Sequence, residues 1–110
     1  MMKIAMSAAA SGLMRALLAR AAVPRDRILL TEFRSVDWQS LTFIGERHHM
    51  RLRIPGPDCD AVASRLTSGI EDAEFAIPGH IVADIALAGA PERGEDGSIT
   101  VTLEALTIAE

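Results

Sequence analysis

Tyrosine is absent from this chain, and Phe33, Trp38, Phe43 and Phe75 are its only aromatic residues. With so few ring faces the sequence offers no run of stacking platforms for single-stranded nucleic acid. Its net charge of −4 also lacks the basic excess that phosphate backbones require. No nucleic-acid partner is expected. Cys59 is the only cysteine, so no intramolecular disulfide can form, and the composition suits a reducing, cytoplasmic compartment. No uncharged apolar run approaches the roughly 18 residues needed to cross a membrane, so a membrane partner is not expected either.

Recognisable chemical signatures are missing as well. The chain has no Gly-x-x-x-x-Gly-Lys phosphate loop, no Gly-x-Gly-x-x-Gly fingerprint, no Gly-x-Ser-x-Gly elbow, no Cys-x-x-Cys pair and no His-Glu-x-x-His helix. Nucleotide-binding, dithiol-redox and zincin chemistries lose their sequence basis, and no cofactor is expected.

Acidic residues are absent from the first 25 positions, which hold Lys3, Arg15, Arg20 and Arg25. A whole-chain charge of −4 therefore leaves −8 on the remainder. A basic, Ser- and Ala-rich start also has the composition of a targeting segment. Arg15 interrupts the apolar run, however, and Ala10, Leu13, Met14, Leu17 and Ala21 recur at helical spacing. Ser7 stands ready as the cap and Pro24 lies just past the end, so a helix is expected over about 7–22. Met2 to Met6 has the character of a short preceding strand.

With 110 residues, about half of them apolar, the sequence fits one domain, residues 1–110, that buries roughly two-thirds of its unfolded surface. Residues 27–35 and 40–45 favour strands, and Gly45-Glu46 suggests a tight turn into a third that ends at Pro55-Gly56-Pro57. Asp58 can cap a second helix, whose Cys59, Val62, Ala63, Leu66 and Ile70 share a face. Residues 74–77 read as a short extended run. A strand over 80–88, with Ile81, Ala83, Ile85 and Leu87 inward, is followed by a flexible acidic loop over 89–98 and a final strand from Ile99 to about Ile108. The expected fold is α+β: a two-layer sandwich of antiparallel sheet with two helices packed on one face, in which a helix-plus-three-strands unit occurs twice.

Residues 47–53 carry the sharpest local pattern. At strand period Arg47, His49, Arg51 and Arg53 fall on one face, and His48, Met50 and Leu52 on the other. One face is buried and the other is a cationic stripe. Arginine forks match phosphate and carboxylate bidentately, but His80, Asp84 and Glu104, if they share the open face, would pair across strands instead. Glu46, His48 and His49 resemble metal ligands by type. Adjacent strand residues point to opposite faces, however, so His48 and His49 cannot chelate one ion, and no metal site is expected.

Two functions follow from this reading. The first is a non-catalytic module that forms a homodimer, or meets another protein, through an open sheet face on which Val82, Leu106 and Ile108 supply apolar area. The alternative is a protein or enzyme holding a small anionic ligand with Arg47, Arg51 or Arg53, and with His49 or His80 as acid or base.

Overall fold

The computed structural model describes residues 6–110 and contains α1 (Ala8–Ala21), β1 (Leu29–Gln39), β2 (Ile44–Ile54), α2 (Cys59–Thr67), β3 (His80–Leu87), β4 (Glu92–Arg93) and β5 (Ile99–Ala109). Single 3₁₀ turns follow each helix, at Arg25–Arg27 and Ile70–Asp72. The fold is α+β: two helices that touch each other and an antiparallel open sheet of order β1-β2-β5-β3. The short β4 also pairs with β5, and since β2 flanks the other side of β5 from Ile99 to Ile108, β4 lies on the β3 side.

Both helices start where the sequence places them. The Ser7 hydroxyl accepts from the Ala10 amide at 3.1 Å, satisfying one of the donors left free at a helix N-terminus. Asp58 precedes α2 but makes no cap hydrogen bond, because its carboxylate pairs with Arg27. The opposite end of α1 is fastened to α2 through backbone carbonyls. Arg65 Nε donates to Ala21 O and Arg20 Nε donates to Leu66 O, each at 2.9 Å.

One cluster forms the core. Leu13, Leu17 and Ala21 of α1 and Val62, Ala63 and Leu66 of α2 meet Met50, Leu52 and Ile54 of β2 and Val101, Leu103 and Ala105 of β5. Those strand residues share the buried phase of the pleat, so one face of the central strand pair is sealed. Arg47, His49, Arg51 and Arg53 take the other phase. Among the described residues no helix is long and apolar enough to cross a membrane.

Three expectations are corrected. The two strands expected over 27–35 and 40–45 are one 11-residue strand, β1, followed by a turn, so among the described residues two strands separate α1 from α2 and the helix-plus-three-strands unit does not occur twice. The strand expected over Met2 to Met6 lies outside the described residues but for Met6. Within that turn the Ser40 hydroxyl accepts from the Phe43 amide at 3.0 Å, and the Ser40 amide donates to Phe43 O at 2.9 Å. A side chain that supplies backbone acceptors competes with a ladder, despite the apolar Leu41 and Phe43. Gly45 consequently sits inside β2, where Thr107 O approaches too closely for a Cβ.

The β3 register is also shifted. An irregularity between Val82 and Asp84 leaves Ala83 unpaired, so Ile85 and Leu87 face the core as expected, but Val82 does too, opposite Thr107. Ile81 instead lies on the open face, 53 % exposed. One extra residue exchanges the two faces of a strand, so Val82, expected on the open face, lies on the opposite one.

The segment 89–98, expected to be a free loop, is docked. β4 pairs with Ile99 and Thr100, Arg93 pairs with Asp60, Arg51 with Glu92 and Arg53 with Asp96. The buried Cys59 thiol donates to Gly97 O at 3.2 Å. Hydrogen bonds from the Ser98 hydroxyl and amide, with Arg53 adding to them, hold the Asp96 carboxyl at about 2.

Candidate functional site

The open face of the sheet is the site to which the sequence points. The ladder arranges it in rows across β1, β2, β5 and β3. At the end near the docked loop lie Arg53 beside Thr100, and Glu32, Arg51 and Thr102. A middle row contains Arg34, His49, Glu104 and Ala86. Val36, Arg47, Leu106 and Asp84 come next, and the last row is Trp38, Gly45, Ile108 and Ile81.

Charge is largely neutralised within the first rows. Arg51 lies 3.3 Å from Glu92, Arg53 pairs with Asp96 and also donates to the Ser98 hydroxyl at 3.2 Å, and His49 sits between Glu104 at 3.4 Å and Glu32 at 3.8 Å. Each pair is partly solvated and therefore sets geometry more than stability. Arg34 and Arg47 form no ion pair among the described residues, nor does Asp84. Arg34 and Arg47 border a shallow concavity of about 190 Å³ together with Val36, His49 and Glu104.

The far end of the face is apolar. Val36 is 54 % exposed, Trp38, Leu106 and Ile108 are half-buried, and Ile81 extends the row to the sheet edge. Beyond it the β1–β2 turn exposes Leu41, Phe43 and Ile44. Leu106 and Ile108 are where the sequence puts them. Trp38, which the sequence offers as a pocket or interface residue at a strand junction, and Val36, which it does not single out, join this face because β1 runs on to Gln39, and both alternate with Ser35 and Asp37 at strand period.

His80 does not join the arginines. It pairs with Ala109 in the register, on the helix side of the sheet, and its Nδ1 donates to Pro78 O at 3.1 Å. That opposite face instead contains His48, where the sequence puts it, together with two hydroxyl partners, Ser35 and Thr107, that the sequence does not single out. His48 is 2 % exposed, with Ser35 Oγ 2.6 Å from Nδ1 and Thr107 Oγ1 2.8 Å from Nε2. Both ring nitrogens are satisfied by hydroxyls that can each donate or accept, which suits a neutral imidazole. Nearby, the Ser7 hydroxyl donates to Glu46 at 2.7 Å, tying the start of α1 to β2. Among the described residues no group of acids, histidines and cysteine is placed to hold a metal ion.

Burial pushes the His48 ring below its ordinary value of 6.5, with Glu46 opposing and His80 adding to the shift. The unfolded chain then binds this proton more readily than the folded one. Stability from the neutral ring is complete above the unfolded value, near 6.5, and is lost as the pH falls below it. Urea midpoints measured from pH 7.5 to 5.5 are expected to decline on acidification, and to decline less in His48→Gln. An unchanged slope in that variant would assign the loss to other groups.

No family model and no curated protein matches the chain.

Proposed function

We propose that the chain is a two-layer sandwich that acts as a non-catalytic homodimerisation module, with a second copy covering the open face of the sheet. The observation that carries this reading is the contiguous apolar end of that face, where Val36, Trp38, Leu106, Ile108 and Ile81 are gathered by three different strand pairings. A surface of this kind marks an interaction site when it is continuous and rimmed by polar groups.

Charge complementarity favours a second copy as the occupant. Arg47 and Asp84 stand in one row on either side of Leu106, and neither has an ion partner among the described residues. A twofold axis running along β5 over Leu106 would place Arg47 of each copy against Asp84 of the other, with Leu106 and Ile108 meeting their counterparts at the centre. Glu104 is drawn aside by His49 and away from that axis. Two twisted sheets stacked at about 30° accommodate such an arrangement. From strand spacing and rise, the face offers roughly 650 Å² per copy. This is close to the roughly 800 Å² per partner of a stable interface.

Anion binding on this face has less support. Arg51, Arg53 and His49 already face acids, His80 is on the other side, and only Arg34 and Arg47 are left beside the shallow concavity.

Sedimentation tests the reading. Wild-type protein should be dimeric at tens of micromolar, and Leu106→Glu should be monomeric with an unchanged circular dichroism spectrum, because a half-exposed site tolerates the carboxylate in the isolated subunit. A monomeric wild type overturns the proposal. So does a folded Leu106→Glu variant that still dimerises.

A further inference from the structure

On the helix side of the sheet, α1 and the segment leading into β1 enclose a groove of about 480 Å³. Its walls are apolar: Met6, Met14 and Leu18 on the helical side, Ile28 and Leu30 on the other. Both charged residues that line it, Arg15 and Arg25, are cations, and no acid does so among the described residues. The remaining arginines around α1 are engaged elsewhere. Arg20 donates to Leu66 O and Ser68 O, Arg65 to Ala21 O, and Arg27 pairs with Asp58. Arg15 and Arg25 make no side-chain hydrogen bond or ion pair among the described residues, and both are exposed.

A cavity of this size falls within the range that holds small molecules, and its lining sorts into an apolar channel and two cations. The ligand such a lining complements has an unbranched apolar body and an anionic head. We infer that the groove between α1 and β1 binds a medium-chain fatty carboxylate, with its chain along Met6, Met14, Leu18, Ile28 and Leu30 and its carboxylate held by Arg15 and Arg25. Three features support that class. Methionine is flexible and polarisable and adapts to a mobile alkyl chain. Arginine forks accept a carboxylate bidentately, and neither fork must first give up an acid of its own. Ser11 adds a hydroxyl to the lining. The groove lies on the opposite side of the sheet from the proposed dimer face, so occupancy of one does not require the other.

Methyl-labelled methionine provides the test. Octanoate, decanoate and dodecanoate, each below its micellar concentration, are titrated into the full chain while the methionine methyl resonances are followed. Met14 and Met6 should shift with saturable curves, and Met50, in the sealed core, should not. Affinity should rise roughly fourfold per added methylene while the chain remains in the groove. Dodecanol should bind more weakly than dodecanoate, and dodecyltrimethylammonium more weakly still. In the Arg15→Gln/Arg25→Gln double variant, whose two sites are exposed, dodecanoate should lose about tenfold in affinity while dodecanol is unaffected. The inference is overturned if no carboxylate shifts Met6 and Met14, if the cationic amphiphile binds as tightly as dodecanoate, or if the double variant, folded by circular dichroism, retains full dodecanoate affinity.

Discussion

Met50→Asp is expected to leave the chain largely unfolded, whereas Arg51→Gln, one residue away, costs about 1 kcal/mol or less. Met50 is fully buried, opposite Phe33 on one side and Leu103 on the other, and belongs to the cluster joined by both helices. An aspartate there would have no cation within the apolar cluster, so the chain must either desolvate a charge or bind a proton. Either route costs more than about 4 kcal/mol, a large share of the roughly 5–15 kcal/mol that stabilises a domain of this size. Arg51 points the opposite way, its side chain 38 % exposed and its partner Glu92 72 % exposed. Urea titration monitored by far-ultraviolet circular dichroism separates the two. Similar losses would contradict the inward and outward assignment of β2.

Gly45→Ala should be the second most damaging change, at about 3 kcal/mol, although it adds only one methyl group. An ideal Cβ at position 45 would stand 2.0 Å from Thr107 O, 3.1 Å from its carbonyl carbon and 3.2 Å from the Ile108 Cα. All three contacts are backbone, so no side chain can rotate away and β2 must separate from β5. That separation would occur one residue from Glu46, which pairs with Thr107, and would strain the hydrogen bond between Thr107 and His48. Because Leu106 and Ile108 flank the affected residue, the variant should also weaken self-association. Gly79→Ala is the matching control: its φ of +76° carries some strain, yet nothing lies within 4 Å of its added Cβ. Thermal unfolding should show a much larger drop for Gly45→Ala. Equal drops would mean that conformational preference, not crowding against β5, explains the loss.

Two comparisons show why parts of the candidate site were readable and others were not. The stripe from Arg47 to Arg53 is set by alternation within one unbroken strand, so its face could be assigned from neighbouring residues alone. Leu106 and Ile108 were placed correctly for the same reason, since β5 is regular from Ile99 to Ala109. Val82 and His80 depended on a register that one unpaired residue, Ala83, changes for the whole start of β3. Thr31 does the same in β1, between Leu30 and Glu32, bringing Glu32 onto the open face beside Arg51. A bulge has no reliable signature in a single sequence, because it is stabilised by the partner strand.

By itself the sequence determined the elements whose signals are local. It specified α1 with Ser7 as its cap, the helical face of α2, the two phases of β2, the final strand and the α+β class, because side-chain periodicity and capping act over a few residues. Tertiary structure decided what depends on groups distant along the chain. The turn at 40–43 replaced a strand because β1 continues to Gln39 along β2. Docking of the 89–98 segment required Cys59, Asp60, Arg51 and Arg53, which stand 33 to 43 residues from their partners. The apolar end of the open face and the cationic groove beside α1 belong to the same category. Each gathers residues from separate elements, and only strand pairing and packing of the helices bring them together.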